Sequence, residues 1–290
     1  MPYRALFCGL LLFTFLPVRG QQALETVEQN YATALTTAKE QDKLVFVDFY
    51  TTWCAPCKQL DKEVFQNDSV RQVLGKDFVL LRYDAENDTV FHLSKKHHVF
   101  SYPTGLILDA DGYLVSRKYG FPGEDFESLS ASVFEFSEQA LRRSRGDTVV
   151  VGYSNHVDGT IYPGFYIDYV NRTNTKIDSA AFHAYWDKEQ NIFGEAYFST
   201  LVYFARKGIP DRVADRLLEH REVYTTLYGS LDVEIALMFV SFSKLDAAVA
   251  EKNREQFAVA LQYTRAALDA DFAEEVAARY EEKFRSAGGE

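Results

Sequence analysis

Leu44-Val45-Phe46-Val47-Asp48-Phe49-Tyr50-Thr51-Thr52-Trp53-Cys54-Ala55-Pro56-Cys57-Lys58 is the stretch on which the fold turns. Its first seven residues form a dense apolar run, the signature of a strand buried on both faces. Two cysteines three apart then open a helix-like segment in which Leu60 and Val64 share a face. At a helix N-terminus the unpaired backbone N–H groups and the helix dipole favour an anion. That position lowers the thiol pKa and makes Cys54 the attacking thiolate. Cys57 lies one turn on, close enough to close a disulfide and to resolve a mixed one. Pro56 fits a first turn, where its missing N–H costs nothing. A closed zinc site needs four ligands. No second cysteine pair exists, and His92, His97 and His98 match no common zinc spacing. A purely structural bridge across so small a loop would constrain the unfolded chain very little.

Outward from this stretch, Leu24, Val27, Tyr31, Leu35 and Ala38 recur at helical spacing and predict a first amphipathic helix with no strand before it. Asn67-Asp68-Ser69 caps a further turn through Leu74, residues 78–83 read as a strand, and residues 89–97 as a short helix. Strands at 104–108 and 113–119 flank Asp109-Ala110-Asp111-Gly112, a hairpin signal. Phe126, Leu129, Val133, Phe136 and Ala140 mark a closing helix. Alternation ending in a hairpin predicts a mixed sheet with helices on both faces. A polar stretch over 142–147 separates this unit from the remainder. Beyond a short candidate strand at 148–153 the pattern is helical, with candidates at 179–190, 195–207, 211–227, 231–251, 253–270 and 272–286. Short links between them suggest antiparallel pairs or a small helical-repeat array, although no fixed period is evident.

The chain has 290 residues, 47% of them hydrophobic, enough for two cored domains. Arg4, the apolar run 5–16 and Val18-Arg19-Gly20 read as a signal peptide over residues 1–20, too short to span a bilayer as a helix. Export places the chain where disulfides persist. Losing Arg4 and Arg19 takes the formal charge from −11 to −13, which argues against nucleic acid and anionic lipid surfaces as partners. No later segment is long and apolar enough to span a bilayer, so the mature protein is not expected to be an integral membrane protein.

The segment Val47–Lys58 resembles the active-site segment of the thioredoxin superfamily. Two further segments agree in order: Tyr102-Pro103-Thr104 is similar to the family's cis-proline segment, and Tyr119-Gly120-Phe121 to its third active-site loop. The resemblance spans about residues 24–143. Within the superfamily, Cys57-Lys58 with Glu63-Val64-Phe65 and Val70 is most similar to the periplasmic thioredoxin-like domain of DsbD-type reductases, without their transmembrane part. It implies an α/β thioredoxin-like fold, placed over residues 21–145; the helical pattern beyond it makes 146–290 an all-α helical domain, possibly repeat-like. The resemblance also implies a cis Pro103 beside the dithiol, whose neighbouring backbone, with Tyr102, Thr104 and Gly120, pairs with a substrate strand.

Asp48 stands six residues before Cys54, where the family has a buried acid. Its apolar flanks favour burial, which would raise its pKa and suit it to shuttling the Cys57 proton; an ordinary edge-strand acid is the plainer alternative. Leu80 occupies the place where many members carry a lysine beside that acid, leaving Asp48 without an evident charge partner. Trp53 reads as an apolar lid over the thiolate or as packing, and Lys58 as a supporting or merely solvated charge. The expectation is an exported, periplasmic thiol–disulfide oxidoreductase, tilted to reduction by Ala55-Pro56. It needs no cofactor beyond the Cys54–Cys57 disulfide and no metal. Its partners would be protein thiols and disulfides and an upstream electron-donor protein. The alternative is a partner-binding or chaperone-like module in which the redox centre is secondary.

Other signals weigh less. The acidic loop 84–88 lacks the glycine and distal glutamate of a calcium loop, and His97-His98 read as surface. Asn67, Asn87 and Asn171 open glycosylation sequons, which matter only in a eukaryote. The aromatics Tyr185, Trp186, Phe193, Tyr197, Phe198, Tyr203 and Phe204 read as helix packing, with a peptide groove as the sharper alternative.

Overall fold

A computed structural model describes residues 23–146, 148–188 and 191–289; the signal-peptide reading of 1–20 lies outside them. Five strands form one mixed sheet in the order β1-β3-β2-β4-β5. β1 (Glu25–Glu28), β2 (Leu44–Tyr50) and β3 (Phe78–Asp84) are parallel, while β4 (Thr104–Leu108) and β5 (Leu114–Tyr119) form an antiparallel hairpin on the β2 edge. Asp109 caps the hairpin turn, its carboxylate accepting the N–H groups of Asp111 and Tyr113. Gly112 supplies the left-handed φ of 93°.

The expected first helix begins later than its apolar spacing implied. Glu25–Glu28 is a strand in register with Val79–Arg82, and α1 covers Tyr31–Gln41. Asn30 caps the helix through the Thr33 N–H, and Gln29 takes a left-handed turn before it. That turn stops the helix from propagating backward, and the ladder to β3 satisfies the freed backbone instead.

β2 is buried on both faces, as its apolar density required. On one face Phe46, Leu80, Ile107 and Val115 pack beneath α2 (Ala55–Leu60), α3 (Asp68–Leu74) and α5 (Phe126–Arg145). Between α2 and α3 a π turn, Asp61–Phe65, lets the successive residues Val64 and Phe65 both reach this core. Gly105 of β4 sits under two rings. A Cβ there would lie 2.7 Å from Phe121 and 3.0 Å from Phe136. Gly105→Ala is therefore expected to cost about 1–3 kcal/mol, read as a lower urea midpoint.

On the other face Val45, Val47, Phe49, Leu81, Leu106 and Leu108 join one continuous core with α1, α4 (Leu93–Lys96) and the helical region. That region comprises α6 (Gly164–Val170), α7 (Ser179–Asp187), α8 (Glu195–Phe204), α9 (Asp211–Glu219), α10 (Arg221–Tyr228), α11 (Ser230–Glu251), α12 (Arg254–Ala267) and α13 (Ala270–Ser286). Their lengths run from 7 to 22 residues, and among the described residues no repeated unit supports the helical-array reading. α6 was not foreseen, and the expected 211–227 helix is two helices broken at His220. The candidate strand at 148–153 is a connector: Val150 N–H bonds Leu114 and Gly152 N–H bonds Leu227. Spanning from sheet to α10, it cannot run a ladder along either. The aromatics of the helical region pack mainly on one another, as in Trp186 on Tyr197 at 5.2 Å and Phe198 on Tyr228 at 3.9 Å.

Candidate functional site

The strand register brings the loops of interest to one end of the sheet. Phe49 of β2 is opposite Thr104 at the start of β4, and Thr104 is opposite Tyr119 at the end of β5. Tyr50 is opposite Asp84 at the end of β3. The turn 51–54, the segment 101–103, Gly120 and the loop after Asp84 therefore converge beyond the carboxyl ends of the parallel strands.

Cys54 is the N-cap of α2, with extended backbone, and its Sγ accepts the Cys57 N–H at 3.2 Å. Pro56 sits within the first turn. The two sulfurs are joined as a disulfide with the Cα atoms 5.3 Å apart. Both cysteines are buried, Lys58 is exposed, and Trp53 is 61% exposed. Trp53 is thus no sealed lid. Its indole N–H donates to Glu86 Oε2 at 2.9 Å, and its ring meets the Tyr102 ring edge-on at 6.0 Å.

The Tyr102–Pro103 peptide bond is cis. Pro103 C=O accepts the Gly120 N–H at 2.8 Å, which ties the two loops together. Gly120 has φ 70° and open space where a Cβ would be. Thr104 is buried, its hydroxyl donating to Ser101 C=O.

Asp48 is fully buried on the sheet face covered by α2. Neither carboxylate oxygen accepts a hydrogen bond. Burial pushes its pKa up to about 7, against the opposing pull of Arg82. Leu80 left in doubt how strongly Asp48 is coupled to a charge partner, and Arg82 supplies that partner. Arg82 Nε stands 3.5 Å from Asp48 Oδ2, and Arg82 Nη1 pairs with Asp61 at 2.6 Å. Arg82 lies directly opposite Asp48 in the ladder, two residues past Leu80 and so on the same face. Strand alternation places position 82 beside Asp48, a signal that the sequence carries.

The assignment of His97-His98 to the surface is overturned. Both are buried in a charged knot between the sheet and α11. Asp232, in the first turn of α11, accepts from Arg117 Nη1 at 2.8 Å and Tyr119 O–H at 2.9 Å, with His98 Nε2 at 3.5 Å. Arg117 also reaches His97, and Tyr153 meets His98. Burial and the Arg117 charge hold His98 down to about 4 and His97 well below its usual range. The polarity of His-His suggested solvent, but its partners lie 19 to 134 residues further along the chain. Within the acidic loop, Asp88 is buried and already engaged by Ser94 and Lys95. Among the described residues no cluster of His, Cys, Asp or Glu is placed to hold a metal, and no helix is long and apolar enough to cross a membrane.

Residues 26–110 match the family model described as thioredoxin-like. The thiol:disulfide interchange protein DsbD of Salmonella typhi is 41% identical over 93 residues, 31% of this chain and 16% of that protein. DsbD of Vibrio vulnificus is 33% identical over 106 residues, 36% of this chain and again 16% of the relative. The chain thus spans only about a sixth of these curated relatives. A candidate disulphide-isomerase from Bacteroides thetaiotaomicron, solved in solution, is 38% identical and is covered over 95% of its length by 40% of this chain, with a TM-score of 0.34.

Proposed function

The chain belongs to the thioredoxin superfamily of thiol–disulfide oxidoreductases, and from that premise we propose that it is an exported, periplasmic reductase of protein disulfides. A thioredoxin-like unit over 21–145 would carry the exchange and a helical unit over 146–290 would recruit the partner. The observation that carries the reading is the Cys54–Cys57 disulfide at the start of α2, with Asp48 buried on the sheet face that α2 covers.

In the reduced protein, the Cys54 thiolate at the helix N-terminus attacks one sulfur of a substrate disulfide. A mixed disulfide forms, and the other substrate sulfur leaves as a thiolate that takes up a proton. Asp48, with a pKa near neutrality, accepts the Cys57 proton. The Cys57 thiolate then attacks Cys54 Sγ, closes the internal disulfide and expels the second substrate sulfur as a thiolate, whose protonation balances the proton taken from Cys57. Two electrons pass to the substrate, and an upstream dithiol protein must return them. The backbone at the cis Tyr102–Pro103 bond, tied to Gly120, offers the edge on which a substrate strand would lie, with Lys58 and Trp53 flanking the cysteines in sequence.

Equilibration with glutathione is expected to place the dithiol below about −200 mV, on the reducing side of its superfamily; a value near −120 mV would reverse the direction. Cys57→Ala should accumulate mixed disulfides with protein substrates in vivo, visible as reductant-sensitive bands that Cys54→Ser abolishes. Unimpaired cellular function in Cys54→Ser would instead support a binding module.

A further inference from the structure

Trp53, directly before Cys54, is linked through Glu86 to the helical region. Trp53 is 61% exposed, and so exposed a ring ordinarily samples several rotamers. Here Glu86 holds it: Oε2 accepts the indole N–H at 2.9 Å, and Oε1 accepts Arg172 Nε at 3.2 Å. Both oxygens of the carboxylate are thus used, one on each side of the junction between sheet and helices. Arg172 directly follows the α6 cap and has a left-handed φ of 59°, a conformation costly for a side-chain-bearing residue. Its N–H bonds Tyr169 C=O, and Tyr169 packs on Tyr203 and Phe204 of α8. A continuous line of contacts runs from the core of the helical region to the indole.

We propose that Arg172 and Glu86 are positioning residues that hold Trp53 in the orientation a protein substrate meets, so that the helical region shapes the docking surface of the dithiol. The inference rests on the reading of the dithiol as the exchange centre for protein disulfides. The Arg172–Glu86 pair is partly solvated, with side chains 49% and 24% exposed, so it contributes little to stability. Its effect is orientational: a ring already immobilised need not be ordered when substrate binds.

The test uses the full chain. Its two tryptophans differ sharply, since Trp186 is 2% exposed, so acrylamide quenching reports on Trp53. Arg172→Ala and Glu86→Ala should each raise the quenching constant about 1.5–2-fold and the KM for insulin about 3–10-fold, with kcat within about twofold. Arg172→Lys should recover part of both. The double variant should add nothing to the single ones, because both act through one contact chain. Unchanged quenching and KM in Arg172→Ala, additive effects in the double variant, or a fall in kcat at constant KM would each overturn the proposal. If wild-type protein fails to reduce insulin, the exchange reading falls, and the quenching series alone decides the positioning of Trp53.

Discussion

Asp48→Asn should stabilise the protein by about 3–4 kcal/mol at pH 8 and leave stability unchanged near pH 4, while slowing disulfide exchange. The sign follows from a carboxyl whose folded pKa lies above its unfolded one. Asp48 titrates near 7 in the fold because burial opposes its charge, and near 3.9 in the unfolded chain. Below about pH 4 both states are protonated and the group is neutral to folding. Between 4 and 7 the unfolded chain has released a proton that the native state retains, so stability falls as pH rises. Above 7 the whole penalty is present. Asparagine carries no charge at any pH and escapes it, although Arg82 then keeps only Asp61 as its ion-pair partner. Urea midpoints of the oxidised proteins at pH 4 and pH 8 measure the difference. If Asp48 takes the Cys57 proton as proposed, insulin reduction at pH 7 should also fall by about 10²-fold, the lower end for a positioned acid–base group. A variant that gained stability but kept its rate would remove Asp48 from the chemistry.

Asp232→Ala should cost about 3–5 kcal/mol at pH 7, because it leaves the Arg117 guanidinium buried without its carboxylate. Replacing both partners with apolar residues, Arg117→Met with Asp232→Leu, should recover most of the loss, since the penalty arises from the orphaned charge. A single-variant loss below about 1 kcal/mol would show that the knot does not tie α11 to the sheet. The knot also predicts acid sensitivity. His98 stays neutral in the fold down to about pH 4, whereas the unfolded chain protonates histidine near 6.5. As pH falls through that window the unfolded state alone gains the proton, so stability drops by about 3 kcal/mol from His98. His97, held down by the same burial and the Arg117 charge, adds to the loss. Asp48 acts in the opposite direction over the same range, so the Asp48→Asn variant should lose stability on acidification more steeply than wild type. Urea midpoints from pH 4 to 7.5 for both proteins test the opposition.

Local chemistry was legible in the chain before folding. The apolar density of 44–50, the two cysteines at a helix start, the Asp109–Gly112 turn and the stripe of α5 each depend on neighbours within a few residues. Such signals follow directly from backbone periodicity and capping, and they placed Cys54, Cys57 and Asp48 where they lie. β1 escaped notice because a four-residue strand has almost no periodicity of its own and exists by pairing with β3. The charge beside Asp48, the burial of His97 and His98, and the Arg172–Glu86–Trp53 line all join residues 19 to 134 positions apart. Their energetics depend on desolvation and on contacts across the sheet and the helical region. Residue type alone does not reveal which polar groups the fold will enclose, and that enclosure is what raises the pKa of an aspartate towards neutrality and makes a pair of histidines part of a buried charged knot.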